Sequence, residues 1–146
     1  MTARNLKKLA GCAPDVIARA DRVFAFMDAI GHPMLVTDGL RNTAQQQALY
    51  AQGRSTPGPD VSKKRPLGRT VTKADGVRKL SNHQSGRAVD CCFLVDGKPS
   101  WAESLPWSLY GAAAEAEGFS WGGRWPTPDK PHIELPASVV PLQSAA

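Results

Sequence analysis

The segment Ser81-Asn82-His83-Gln84-Ser85-Gly86-Arg87-Ala88-Val89-Asp90 constrains this chain more than any other. It sets a histidine and a carboxylate seven residues apart, with a glycine between them, and runs straight into the apolar stretch Val89–Val95. Near the other end, Asp129-Lys130-Pro131-His132-Ile133-Glu134 supplies a second histidine flanked by two carboxylates. Imidazole and carboxylate ligands suit Zn²⁺, and a catalytic zinc typically takes three protein ligands and keeps a fourth position open. His83, Asp90 and His132 are the candidate ligands.

Strand periodicity shows how they could meet. Side chains two apart on an extended strand share a face. In a strand over Ala88–Val95, Asp90 and Cys92 share one face while Val89, Cys91 and Phe93 share the other. In a strand over Pro131–Leu135, His132 and Glu134 face the same way. Two neighbouring strands can then bring Asp90 and His132 to one spot, and His83 reaches over if Gly86 bends the chain. Hydrolysis also needs a base, and Asp129 and Glu134 compete for that role. Asp129 lies in the loop entering the strand, whereas Glu134 shares the face of His132 and could instead support it from behind.

The rest of the chain reads as a scaffold. Val16, Ile17, Ala20, Val23, Phe24 and Met27 draw an apolar stripe that predicts a helix from Asp15 to Ala29, opened by Pro14 and ended by Gly31 and Pro33. Met34–Thr37 reads as a strand followed by an Asp38-Gly39 turn. Thr43 with Gln46 makes a capping box for a helix that runs through Tyr50 to Gly53, which leaves Arg41 between strand end and helix start. Residues 54–79, with three prolines beyond Arg54 and the cluster Lys63-Lys64-Arg65, read as a long basic surface loop. Pro106–Glu117 predicts a helix with Ser104 as its cap. Phe119–Trp125 holds too much glycine for a central strand, and residues 137–146 read as a flexible tail.

At 146 residues and 42% hydrophobic, the chain suits one domain with its own core. A net charge of +5 favours an anionic partner: nucleic acid, an acidic membrane surface or a bacterial wall. No recognised nucleic-acid motif is present, no apolar run could cross a bilayer, and the N-terminus lacks the apolar core of a secretory signal. The three cysteines read as reduced, buried thiols of a protein made in a reducing compartment; a pairing of Cys12 with Cys91 or Cys92 stays open.

Ser81-x-His83-x-x-Gly86-x-Ala88-x-Asp90, followed by Trp121-Gly122-Gly123 and Asp129-x-Pro131-His132-x-Glu134, resembles the zinc peptidases that cut D-amino-acid peptides of peptidoglycan. These are the D-alanyl-D-alanine carboxypeptidases and the phage L-alanyl-D-glutamate endopeptidases. Thr37–Arg41, Gln46 and Leu49–Arg54 look most like the phage branch. The resemblance implies an α+β fold, a small and mainly antiparallel sheet with flanking helices. It implies Zn²⁺ on His83, Asp90 and His132, Asp129 as the catalytic carboxylate, and Arg41 steadying the substrate's carbonyl oxygen or carboxylate. Ser81 would line the cleft, Trp121 and Tyr50 would line it or pack beneath it, and Glu134 and Gln46 would act from behind the site. The substrate implied is the peptidoglycan stem peptide, cut between L-Ala and D-Glu by a monomeric enzyme. That enzyme would stay in the host cytoplasm until a holin releases it to the wall. Arg124 departs from the family pattern, which often has an acidic residue there.

Overall fold

The computed structural model describes residues 1–40, 83 and 85–139. It falls into two compact units, Met1–Leu40 with Gly86–Ala146, and Arg41–Ser85. The expected helix from Thr43, the loop 54–79, and Arg41, Gln46, Tyr50 and Ser81 lie outside the described residues.

In the first unit the elements are α1 (Ala3–Lys8), α2 (Pro14–Ala29), β1 (Met34–Asp38), β2 (Ala88–Val95), β3 (Lys98–Ser100), α3 (Trp107–Ala116), β4 (Ser120–Trp121), a 3₁₀ turn (Gly122–Arg124) and β5 (His132–Glu134). The strands form one sheet in the order β1-β2-β5-β4, with β3 also paired to β2, and every pairing is antiparallel. This is the expected α+β architecture. No helix among the described residues is long and apolar enough to cross a membrane.

Alternation along the strands divides the sheet into two faces. Met34, Val36, Val89, Cys91, Phe93, Ile133 and Trp121 enter the buried core, where they meet Val16, Ala20, Val23 and Met27 of α2 and Tyr110 and Ala114 of α3. The opposite face carries Asp90, His132 and Glu134. Helix α2 begins at Pro14, whose missing N–H costs nothing at a first turn. Arg19 on α2 bonds Asp15 Oδ1 (2.9 Å) and donates to the Glu117 carbonyl (2.6 Å), which ties α2 to the end of α3.

Several local expectations change. Helix α1 was not anticipated; Thr2 caps it, and its Asn5 is buried. The Asn5 amide donates to Met34 O (3.0 Å) and accepts from Val36 N–H (2.9 Å), so one side chain stands in for a neighbouring strand beside β1. Helix α3 starts at Trp107 with Pro106 as its cap residue and no side-chain cap bond, so Ser104 is not the cap. The Asp96-Gly97 turn, both residues at positive φ, closes a hairpin from β2 onto β3. Residues 137–139, expected in the flexible tail, form a turn with Val139 packed against the core.

Candidate metal centre

Antiparallel pairing of β2 with β5 sets Asp90 directly opposite His132, and Ala88 opposite Glu134. His132 Nδ1 lies 3.0 Å from Asp90 Oδ1, and His132 Nε2 lies 2.8 Å from Glu134 Oε1. The imidazole is buried and held at both nitrogens. Burial alone would lower its pKa. Hydrogen bonds to Asp90 and Glu134, with the charges of Asp90 and Asp129, outweigh burial and raise it to about 9.

His83 is buried too, and one ligand atom from each of His83, Asp90 and His132 lies within 4.8 Å of the others. Among the described residues, this is the one group of metal-capable side chains so gathered. The donor set fits a borderline cation: two imidazole nitrogens, one carboxylate oxygen and no thiolate. Two ligands of one tetrahedral zinc, each about 2.1 Å from it, stand roughly 3.4 Å apart, close to the Asp90–His132 separation. Glu134 on Nε2 leaves Nδ1 as the nitrogen aimed at the cluster, the support that metal-bound histidines usually receive.

Gly86, on the way from His83 to β2, has φ +72° and lies against Cys12 and Gly11, where a side chain would crowd the backbone. Its carbonyl accepts from Ala13 N–H (3.1 Å), so the bend foreseen at this glycine is fastened to the start of α2.

The turn Asp129–His132 is held from four sides. Asp129 N–H donates to Gly122 O (2.8 Å), and His132 N–H donates to Asp129 O (3.2 Å). The Trp121 indole N–H donates to Lys130 O (2.8 Å). The Pro131 carbonyl accepts from Tyr110 O–H (2.9 Å) and from Cys91 N–H (3.0 Å). Gly122 is required by contact: a Cβ there would stand 2.4 Å from Asp129 O and 3.1 Å from His132 Cβ. The Trp-Gly-Gly and Asp-x-Pro-His segments thus form one packed unit. Trp121 is buried, and its indole bond joins it to the turn. Asp129 is exposed, and its charge reaches His132.

Two residues escaped the sequence reading. Tyr110 falls within the helix expected over Pro106–Glu117, where nothing local marks its hydroxyl. Trp125 is 39% exposed, and its ring lies 4.9 Å from that of His132, tilted by 45°. An aromatic flanked by arginine and proline carried the only signal. Arg124 is explained locally: it pairs with Glu115 (3.0 Å) and lies 5.6 Å from the Trp121 ring. Cys91 points into the core, hydrogen-bonded to Tyr110, and burial pushes its thiol far up. It belongs to no ligand group.

A carboxylate–imidazole cluster on an antiparallel sheet, with an exposed carboxylate on the adjoining turn, defines a metallopeptidase-like site. Comparison with known proteins agrees. Residues 75–135 match the family model described as D-alanyl-D-alanine carboxypeptidase, of the M15 peptidases. The peptidoglycan L-alanyl-D-glutamate endopeptidase CwlK of Bacillus subtilis is 32% identical over 132 residues, 84% of this chain and 72% of CwlK. The chain belongs to the M15 family of metallopeptidases. In fold it is similar to the L-Ala D-Glu endopeptidase ChiX of Serratia marcescens (TM-score 0.67, 24% identity, 93% of this chain and 89% of ChiX). It is also similar in fold to the vancomycin-resistance D,D-pentapeptidase VanY, solved as a mutant with Zn(II) (TM-score 0.58, 19% identity, 85% of this chain and 72% of VanY).

Proposed function

We propose that this chain is a zinc-dependent peptidase of the peptidoglycan stem peptide that hydrolyses the L-alanyl-D-glutamate bond. The observation that carries the reading is the His83–Asp90–His132 group, with Asp129 exposed on the turn beside it. The choice of bond follows the activity for which CwlK is named.

His83, Asp90 and His132 would hold the zinc. When bound there, zinc polarises a carbonyl and lowers the pKa of water enough for attack at neutral pH. Asp129 takes the proton from the attacking water and returns it to the departing amine. Its place on a turn fixed through Gly122, Trp121 and Tyr110 limits its motion relative to His132, since the same four residues carry both. Glu134 keeps the His132 ring in one orientation. Arg41, which lies outside the described residues, is assigned the developing negative charge on the carbonyl oxygen.

The biological setting we assign is a monomeric phage endolysin, held in the host cytoplasm until a holin opens the way to the wall. The resemblance of Thr37–Arg54 to the phage branch and the charge of +5, suited to an anionic wall, support it.

The matched family model favours a second reading, a D-alanyl-D-alanine carboxypeptidase. Turbidity loss on purified sacculi, with and without chelator, followed by mass spectrometry of the products, decides. Release of peptides that begin at D-Glu, with L-Ala left on the glycan, is expected, and chelation abolishes it. Loss of terminal D-Ala alone would replace the endopeptidase with the carboxypeptidase.

A further inference from the structure

Beside the turn that carries Asp129 lies a cavity of about 460 Å³, lined chiefly by Trp101, Glu103, Trp107, Pro128, Asp129 and Lys130. Its size falls within the range of small-ligand sites. The lining is of two kinds. Trp107 is 4% exposed, donates its indole N–H to Ala102 O (2.9 Å) and packs edge-on to Phe93 at 4.8 Å, so it is a fixed floor. Trp101 is 53% exposed, more than any other large apolar side chain described. Nothing in core packing calls for an indole left in water at the edge of a cavity. At the rim, Lys130 Nζ pairs with Glu103 Oε2 at 2.6 Å.

An exposed indole beside a charged donor and a charged acceptor matches one ligand chemistry closely. A pyranose ring offers a flat face of C–H groups to an aromatic surface and an edge of hydroxyl and amide groups to charged partners. Position narrows the source. Asp129 lines the cavity and is also the carboxylate assigned to the reaction. In peptidoglycan the stem peptide's L-alanine is joined to the lactyl arm of an N-acetylated sugar. A bond cut after that alanine therefore lies one residue from the glycan.

We propose that the Trp101–Trp107–Lys130 cavity is a glycan subsite, which binds an N-acetylated sugar of the strand while the attached peptide lies at Asp129. This rests on the stem-peptide reading given above. It makes the enzyme a reader of sugar-bearing stem peptides rather than of free peptides.

The test compares zinc-loaded wild type and Trp101→Ala on two substrates, a disaccharide-peptide and the same peptide without sugar. In the variant, kcat/KM should fall roughly ten-fold more on the sugar-bearing substrate than on the bare peptide. Equal losses, or no loss on either, overturn the subsite; if Trp101→Ala fails to fold, Trp101→Leu takes its place. A second arm does not depend on cleavage. The peptide-free disaccharide is titrated into wild type and variant, and indole N–H resonances are followed by NMR. A saturable shift of the resonance that the variant lacks supports the subsite, and no shift up to about 10 mM overturns it. Should wild type cleave neither substrate yet bind the disaccharide, the peptidase reading fails and the sugar site stands.

Discussion

Asp90 and His132 stand opposite one another across β2 and β5, with Oδ1 and Nδ1 3.0 Å apart. Both sit on antiparallel strands whose other face is core, so a one-residue register slip that took either off the cluster face would turn an apolar neighbour outward. This pairing holds two proposed ligands at nearly the separation a shared ion needs. It also leaves His132 charged over a wide pH range when no metal is present.

The chelated protein should therefore show a defined pH dependence of stability. Folding raises the His132 pKa from 6.5 to about 9. The stabilisation is fully present below pH 6.5, and is lost as pH rises through about 9, because only the folded state holds the proton in that window. The magnitude is on the order of 3 kcal/mol. Urea titrations of metal-free protein between pH 6 and 10 check it, and His132→Gln should flatten the profile.

Asp129→Ala should keep the zinc and lose wall lysis, because the proposed mechanism gives Asp129 the role of base and does not count it among the ligands. A loss of about 100-fold or more in kcat is expected for a removed general base. Metal analysis alongside turbidity assays separates the roles; undiminished turnover removes Asp129 from the mechanism.

Tyr110→Phe removes one O–H from the clamp on Pro131 O, which keeps its bond from Cys91 N–H. Stability should fall by about 1 kcal/mol. The turn carrying Asp129 and His132 loosens at the same time, so kcat should drop more than KM rises. Steady-state kinetics together with urea midpoints read both effects.

Gly122→Ala should be worse. A methyl 2.4 Å from Asp129 O has backbone in its way, and backbone cannot swing aside as a long side chain could. A cost of about 1–3 kcal/mol is expected, with reduced zinc occupancy as the turn shifts. Thermal melts with and without zinc, and zinc content after gel filtration, check it.

The three thiols should resist a soluble thiol reagent in the native state and all react once the chain is unfolded. Cys12, Cys91 and Cys92 are free and buried, and burial raises each pKa, which suppresses the reactive thiolate. Fast labelling of Cys91 in folded protein would contradict its place in the core.

What the sequence made legible was periodic or punctuated. Period two in Ala88–Val95 gave the strand and told Asp90 from Cys91, and Gly86 announced its bend. The stripe from Val16 to Met27 gave α2. What stayed hidden depends on contacts between distant residues. Asn5 is an ordinary polar residue until it bonds β1, and Tyr110 is an ordinary core aromatic until its hydroxyl meets Pro131. Strand β3 is too short for alternation to show, and the contact that requires Gly122 exists only once β4 and β5 pair.

The nature of the metal and its ligands is tested most directly by X-ray absorption at the zinc edge on the purified, zinc-loaded protein. The expected spectrum has two imidazole nitrogens and carboxylate or water oxygens at about 2.0–2.2 Å, with no sulfur. A sulfur shell at about 2.3 Å, or no stoichiometric zinc at all, would contradict the assignment of His83, Asp90 and His132.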